Sequence, residues 1–254
     1  MRKKIVAANW KSNLLADEAV SLARQICTSD IPKSAEIILL PPMPYLFQIA
    51  QMAGNTIQIG AQNCSMYPEG AYTGEVTARQ LKSAGAKIIL TGHSERRQLF
   101  SENNTVVKQK INRILDAGLS VMFCCGEPLE VRKEKKHIDL VHQQLEESLF
   151  HLGPEQFSQV IIAYEPVWAI GTGVVATPDE AQEMHAFIRS AIESRYGGAV
   201  AKSTAILYGG SVKPDNAPTL FACEDVDGAL VGGASLNYND FIKIAQAIHY
   251  HTHA

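Results

Sequence analysis

No stretch of this 254-residue chain approaches the apolar length of a membrane-spanning helix, and none of its five cysteines forms a CxxC pair. Cys27, Cys64, Cys124, Cys125 and Cys223 are odd in number and scattered, which argues against a disulfide framework and for reduced thiols. An excess of positive charge is also lacking. The formal net charge is −3, which speaks against nucleic acid or an anionic membrane as the main partner. The start, Arg2 to Ala8, resembles the opening of a signal peptide, but Asn9-Trp10-Lys11 cuts it too short. The expectation is a soluble, cytoplasmic protein. Metal-ligand spacing is missing as well: His137, His142 and His185 fall on helical stretches, and His249, His251 and His253 merely alternate at the C-terminus.

What is present is a substantial core: 46% of residues are hydrophobic and 19% charged. Apolar, β-branched runs near 4–9, 36–40, 57–62, 87–91, 119–124, 160–164, 204–208 and 227–231 predict eight strands. Helical patterns intervene at Asp17 to Thr28, Tyr45 to Ala53, Thr77 to Ala84, Thr105 to Ala117, Leu129 to Leu152, Pro178 to Tyr196, Pro214 to Ala222 and Asn239 to His249. Runs such as Ile37-Ile38-Leu39-Leu40 are apolar at every position, as in a parallel sheet buried on both faces. Eight β/α units with no interdomain linker predict one closed (β/α)₈ barrel over residues 1–254. A doubly wound open sheet fits the same periodicity. In a barrel, chemistry collects where strands end.

Those ends carry the informative residues. The sixth strand leads into Glu165, then Pro166, which cannot donate to a central ladder, then Val167-Trp168-Ala169-Ile170-Gly171-Thr172-Gly173. A strand-end carboxylate under an apolar, glycine-tipped flap suits a base that works with water excluded, although a surface loop reads similarly. The first strand ends in Asn9-Trp10-Lys11, a place for a cation to hold phosphate or an oxyanion. The fourth ends in Gly92-His93-Ser94-Glu95-Arg96-Arg97, where Ser94 reads as an N-cap and the helix start should keep His93 neutral. Cys124 and Cys125 at the fifth read as buried packing residues. The seventh and eighth end in Gly209-Gly210-Ser211 and Gly232-Gly233-Ala234-Ser235, which let backbone N–H groups approach a phosphate. The long third loop, Gln62 to Thr77, is either a mobile excursion or an insertion into a partner subunit.

Taken together and in order, Asn9-Trp10-Lys11, Gly92 to Arg97, Ala163 to Gly173, Tyr208 to Ser211 and Val231 to Ser235 resemble the signature motifs of the triosephosphate isomerase family, nearly end to end. The resemblance implies reversible conversion of dihydroxyacetone phosphate to D-glyceraldehyde 3-phosphate, a step of glycolysis and gluconeogenesis, with no cofactor and no metal. It implies that Glu165 is the base, with His93, Lys11 and Asn9 as donors to an enediolate. Gly171, Ser211, Gly232 and Gly233 match phosphate-gripping positions; Glu95 holds Lys11 and, with Ser94, stands behind the reacting groups. It also implies a homodimer through loop 62–77, with Thr73 reaching the partner's site and Glu75 meeting Arg96 across the interface. Two departures from the pattern stand out: Val174-Val175 where many relatives place Lys, and Cys125 where a branched aliphatic residue is common. A non-catalytic phosphate-binding barrel and a Schiff-base aldolase using Lys11 are the rival readings.

Overall fold

In a computed structural model, which describes residues 2–32, 34–54, 57–171 and 175–248, eight parallel strands close into a barrel in sequence order. The strands are β1 (Lys4–Asn9), β2 (Ala35–Leu40), β3 (Gln58–Ala61), β4 (Ile88–Thr91), β5 (Ser120–Cys125), β6 (Val160–Tyr164), β7 (Ile206–Tyr208) and β8 (Gly228–Val231). Closure comes from β1 pairing with both β2 and β8, Val6 lying opposite Ile37 on one side and Ala229 on the other. The open-sheet alternative is thereby removed.

Two buried clusters explain the unbroken apolar runs. Ile5, Ala7, Ile38, Leu40, Ile88, Leu90, Met122, Cys124, Ala163, Leu207 and Leu230 form one cluster. Their neighbours Val6, Ala8, Ile37, Leu39, Ile89, Val121, Phe123 and Ile162 join the helices in the other. Alternate strand residues thus serve the barrel interior and the helical jacket, so neither face is free for polar residues. Cys124 and Cys125 fall one in each cluster, as packing residues should.

Several element boundaries differ from expectation, three of them with a visible cause. The helix read as Leu129 to Leu152 is split into Leu129–Lys133 and His137–Ser148. Lys135 turns left-handed there (φ 58°), with its N–H on the Arg132 carbonyl and that of Lys136 on Val131, a bonding pattern that ends a helix. β7 keeps only the end of the 204–208 run, because the Thr204 carbonyl is taken by the Arg189 guanidinium at 3.0 Å. The helix expected from Pro214 begins only at Ala217, since the Asn216 side chain holds a turn by accepting the Lys213 N–H (2.8 Å) and donating to the Ser211 carbonyl (3.0 Å).

His185, on helix Pro178–Tyr196, is fully buried between the rings of Tyr164 and Tyr208. Burial pulls its pKa down to about 4, partly offset by the Asp225 carbonyl and the charge of Asp227. Because the unfolded chain binds this proton near pH 6.5, the stability it supports is complete above that value and is lost as pH falls toward 4. The expected loss is about 3 kcal/mol, at roughly 1.4 kcal/mol per pH unit. Urea titrations at pH 7 and 4.5 check this: His185→Gln should flatten the pH dependence, and an unchanged slope would discount His185 as its source.

Candidate active site

Every strand-end residue singled out above and described in the structure lies at the same rim of the barrel; Thr172, Gly173 and Val174 lie outside the described residues, as do His249, His251 and His253. A cavity of about 560 Å³ is lined by Asn9, Lys11, His93, Gly171, Ser211, Gly232 and Gly233, drawn from five strand ends.

At β1, the buried Asn9 accepts the Lys11 N–H through Oδ1 at 3.0 Å, which helps keep Lys11 in the left-handed region (φ 51°). Such a conformation is uncommon outside glycine and clusters at functional sites. Gln62, at the end of β3, donates to the carbonyls of Lys11 (2.8 Å) and Leu40 (2.9 Å). So braced, the Lys11 ammonium enters the cavity and meets Glu95 Oε1 at 2.5 Å. An apolar pocket, which a Schiff-base lysine requires, is the opposite of this setting.

At β4, Gly92 (φ 74°) makes a turn that no Cβ would fit, since it would lie 2.9 Å from the Cys124 carbonyl. His93, not Ser94, is the N-cap of helix Ser94–Leu99: its Nδ1 accepts the Glu95 N–H at 3.3 Å. Sequence pattern favours Ser for that place, but the helix starts one residue earlier and leaves Ser94 free for another acceptor. With Nδ1 accepting, a neutral ring carries its proton on Nε2, which stands 3.0 Å from Glu165 Oε1.

Glu165 is only 2% exposed. Ser94 donates to it twice, by its N–H to Oε2 (2.9 Å) and its hydroxyl to Oε1 (3.1 Å). Its acidity runs against its burial. Burial raises the carboxyl pKa, but His93 and the two Ser94 donors outweigh it and hold the group below its ordinary value. His93 is the mirror image: burial lowers its pKa, yet the charge and hydrogen bond of Glu165 lift it above the ordinary value. The neighbouring carboxylate, rather than the helix start, dominates the imidazole. Glu165 also does not line the 560 Å³ cavity; it faces a smaller one of about 180 Å³, shared with Ser94 and Gln144. The base is parked.

Opposite Lys11, the carbonyl of Gly232 is held by the Ser235 N–H (2.8 Å) and hydroxyl (2.7 Å), and Gly233 opens a short 3₁₀ turn to Leu236. Gly209, after β7, donates to the Tyr164 carbonyl at 2.7 Å, tying that glycine turn to the strand that leads into Glu165. Lys213 and Lys243 also line this cavity.

Sequence reading passed over Glu127 and Gln62. Glu127 is wholly buried, and its Oε1 accepts from Tyr164 Oη (3.0 Å), Trp168 Nε1 (2.9 Å) and Arg132 (3.3 Å). The Arg132 guanidinium also stacks on the Trp168 ring at 5.2 Å. Together they pin the flap's leading edge. The signal was there: Glu127-Pro128 repeats, one strand earlier, the carboxylate-then-proline pattern of Glu165-Pro166. Gln62 carried no comparable cue, because its meaning depends on where Lys11 and Leu40 turn.

Known proteins share this pattern. The family model described as triosephosphate isomerase matches residues 4–248. A protein of Cytophaga hutchinsonii named triosephosphate isomerase is 49% identical over 250 residues, spanning 97% of this chain and all of its own length. Bacteroides fragilis and Porphyromonas gingivalis proteins of the same name are each 46% identical over 97% of this chain, covering 99% and 100% of their own lengths.

Proposed function

The chain belongs to the triosephosphate isomerase family, it interconverts dihydroxyacetone phosphate and D-glyceraldehyde 3-phosphate, and on that premise we propose how its residues divide the work. Glu165 takes the proton from the carbon beside the carbonyl and returns it to the neighbouring carbon. The observation that carries this assignment is the Glu165 carboxylate set 3.0 Å from the ring of His93, which lines the larger cavity. The parked position accounts for its chemistry. Leaving Ser94 and His93 removes the contacts that lower its pKa while its burial persists, so basicity rises as it turns to substrate. The same move takes from His93 the influence that raises its pKa. Burial and the Glu95 amide then favour the neutral ring, whose Nε2–H donates to the developing enediolate oxygen.

Lys11, aided by Asn9, supplies positive charge near the oxyanion and the phosphate. Gly171, Ser211, Gly232 and Gly233 grip the phosphate, and closing the flap at Gly171 uses binding at the unreactive end to complete the site. Glu127, through Trp168 and Tyr164, anchors the flap's first turn. A coupled isomerase assay tests the assignment as a whole: turnover should be inhibited competitively by a phosphorylated carboxylate that mimics the enediolate, and insensitivity to that anion would count against the cradle.

We also propose a homodimer through loop 62–77 and residence in the cytoplasm, the latter supported by five free thiols. Tyr67 and Tyr72 stack at 4.3 Å with 6° between their planes, giving the loop an ordered aromatic tip that is still 40% exposed. Leu99 (74%) and Phe100 (63%) are more exposed still, an apolar display that calls for a cover. Arg96 already pairs with Glu102 at 2.7 Å and lies over Phe100, so Glu75 of a partner would join an existing ion pair. Sedimentation should give a dimer that Tyr72→Asp weakens; an active monomer at every concentration would remove the proposal.

A further inference from the structure

The 180 Å³ cavity that Glu165 faces is also lined by Gln144, a residue no step above employs. Gln144 projects from helix His137–Ser148 and is only 6% exposed. A buried amide needs partners, and this one takes both from a single residue. Its Oε1 accepts the Gly126 N–H at 2.8 Å and its Nε2 donates to the Gly126 carbonyl at 3.0 Å. The two peptide planes flanking Gly126 are thereby fixed from one side.

Gly126 is where the chain leaves β5, and the backbone of the base leans on that point. The Glu165 N–H donates to the Cys125 carbonyl at 2.8 Å, and the Val167 N–H to the Glu127 carbonyl at 3.1 Å. Contact at Gly126 is closer than any side chain allows, since a Cβ there would lie 1.7 Å from the Glu165 carbonyl oxygen. Residues 125–127 are thus the wall that carries residues 165–167, and Gln144 is the outer brace on that wall. A carboxylate that must swing from Ser94 to a substrate carbon keeps its aim only if its backbone pivot stays still.

We propose that Gln144 is a positioning residue for the base, acting through Gly126 on the Glu165 backbone. The proposal rests on Glu165 being the base. Displacing a reacting group by about 1 Å costs on the order of 10²-fold in rate. Gln144→Leu, which removes both hydrogen bonds, should therefore lower kcat roughly 10–10²-fold, with KM and inorganic phosphate affinity unchanged.

Gln144→Glu separates this role from general support. A protonated carboxyl offers the same donor and acceptor to Gly126, whereas the ionised form loses the donor and faces the Gly126 carbonyl. Measured against the parent at each pH, its kcat should recover as pH falls, and that of Gln144→Leu should not. If the leucine variant fails to fold, this recovery alone decides the matter. The double variant Gln144→Leu/Glu165→Gln completes the test: with the base gone, the brace has nothing to aim, and no further loss is expected. Full activity in Glu165→Gln alone would overturn the base assignment. A strongly impaired Glu165→Gln whose residual activity falls by the same factor again on adding Gln144→Leu would overturn the positioning role. Parental kcat in Gln144→Leu, or a loss confined to KM, would overturn it too.

Discussion

Replacing Glu165 with glutamine should lower kcat by at least roughly 10²–10⁴-fold while inorganic phosphate still binds. The substitution is close to isosteric, and Ser94 can hold it. The amide oxygen accepts the Ser94 N–H in place of Oε2 and the amide nitrogen donates to the Ser94 hydroxyl, at the cost of facing His93 Nε2–H donor to donor. What is lost is the lone pair that takes a carbon-bound proton, because an amide has no useful basicity. Two readouts separate this from damage to the fold. Exchange of solvent hydrogen into dihydroxyacetone phosphate should vanish with turnover, since a carboxylate trades its proton with water and an amide does not. The proposed phosphate cradle of Ser211, Gly232 and Gly233 follows other strands, β7 and β8, and should keep its affinity. Undiminished isomerisation in this variant would sink the assignment.

The position of the barrel's strands was legible because burial on both faces leaves a simple trace. Ile37 and Leu39 serve the helices while Ile38 and Leu40 serve the interior, so the whole run had to be apolar. Caps were legible where a side chain makes its own local bond, as at Thr177, which accepts the Glu180 N–H at 3.2 Å and starts its helix as expected. The break at Lys135 was not, because a left-handed lysine in a charged run has no compositional mark. The site shows the same division. Glu165, His93 and Lys11 announced themselves by type and by place at strand ends. Their electrostatics did not, since these depend on a contact between residues 71 apart along the chain, Ser94 and Glu165. Burial alone would raise the carboxyl, and the helix start alone would lower the imidazole. Once the two groups meet, each overrules the other's isolated tendency. Gln144 was invisible for a related reason: its partners are backbone atoms, which sequence does not distinguish.

Replacing Lys11 with methionine should cost roughly 10²–10³-fold in kcat/KM, with most of the loss in KM for the phosphorylated substrate. The magnitude follows from two charges about 4 Å apart at an effective dielectric near 20, worth about 4 kcal/mol before screening. Lys11 is 27% exposed at its side chain, so solvent reduces that figure but does not remove it. The variant should suffer twice: it loses the attraction to the phosphate dianion, and it leaves the Glu95 carboxylate facing that dianion unpaired. Lys11→Met/Glu95→Gln separates the two effects, because removing the second charge should restore part of the affinity without restoring the first. Lys11→Arg should help less than its charge suggests. The lysine reaches the cavity from a left-handed backbone held by Asn9 and Gln62, and a planar guanidinium placed there cannot present a compact charge at the same point. Unchanged KM in Lys11→Met would remove Lys11 from the phosphate's partners. A borohydride-trapped adduct on Lys11 would go further and reopen the Schiff-base reading, which the ion pair with Glu95 opposes.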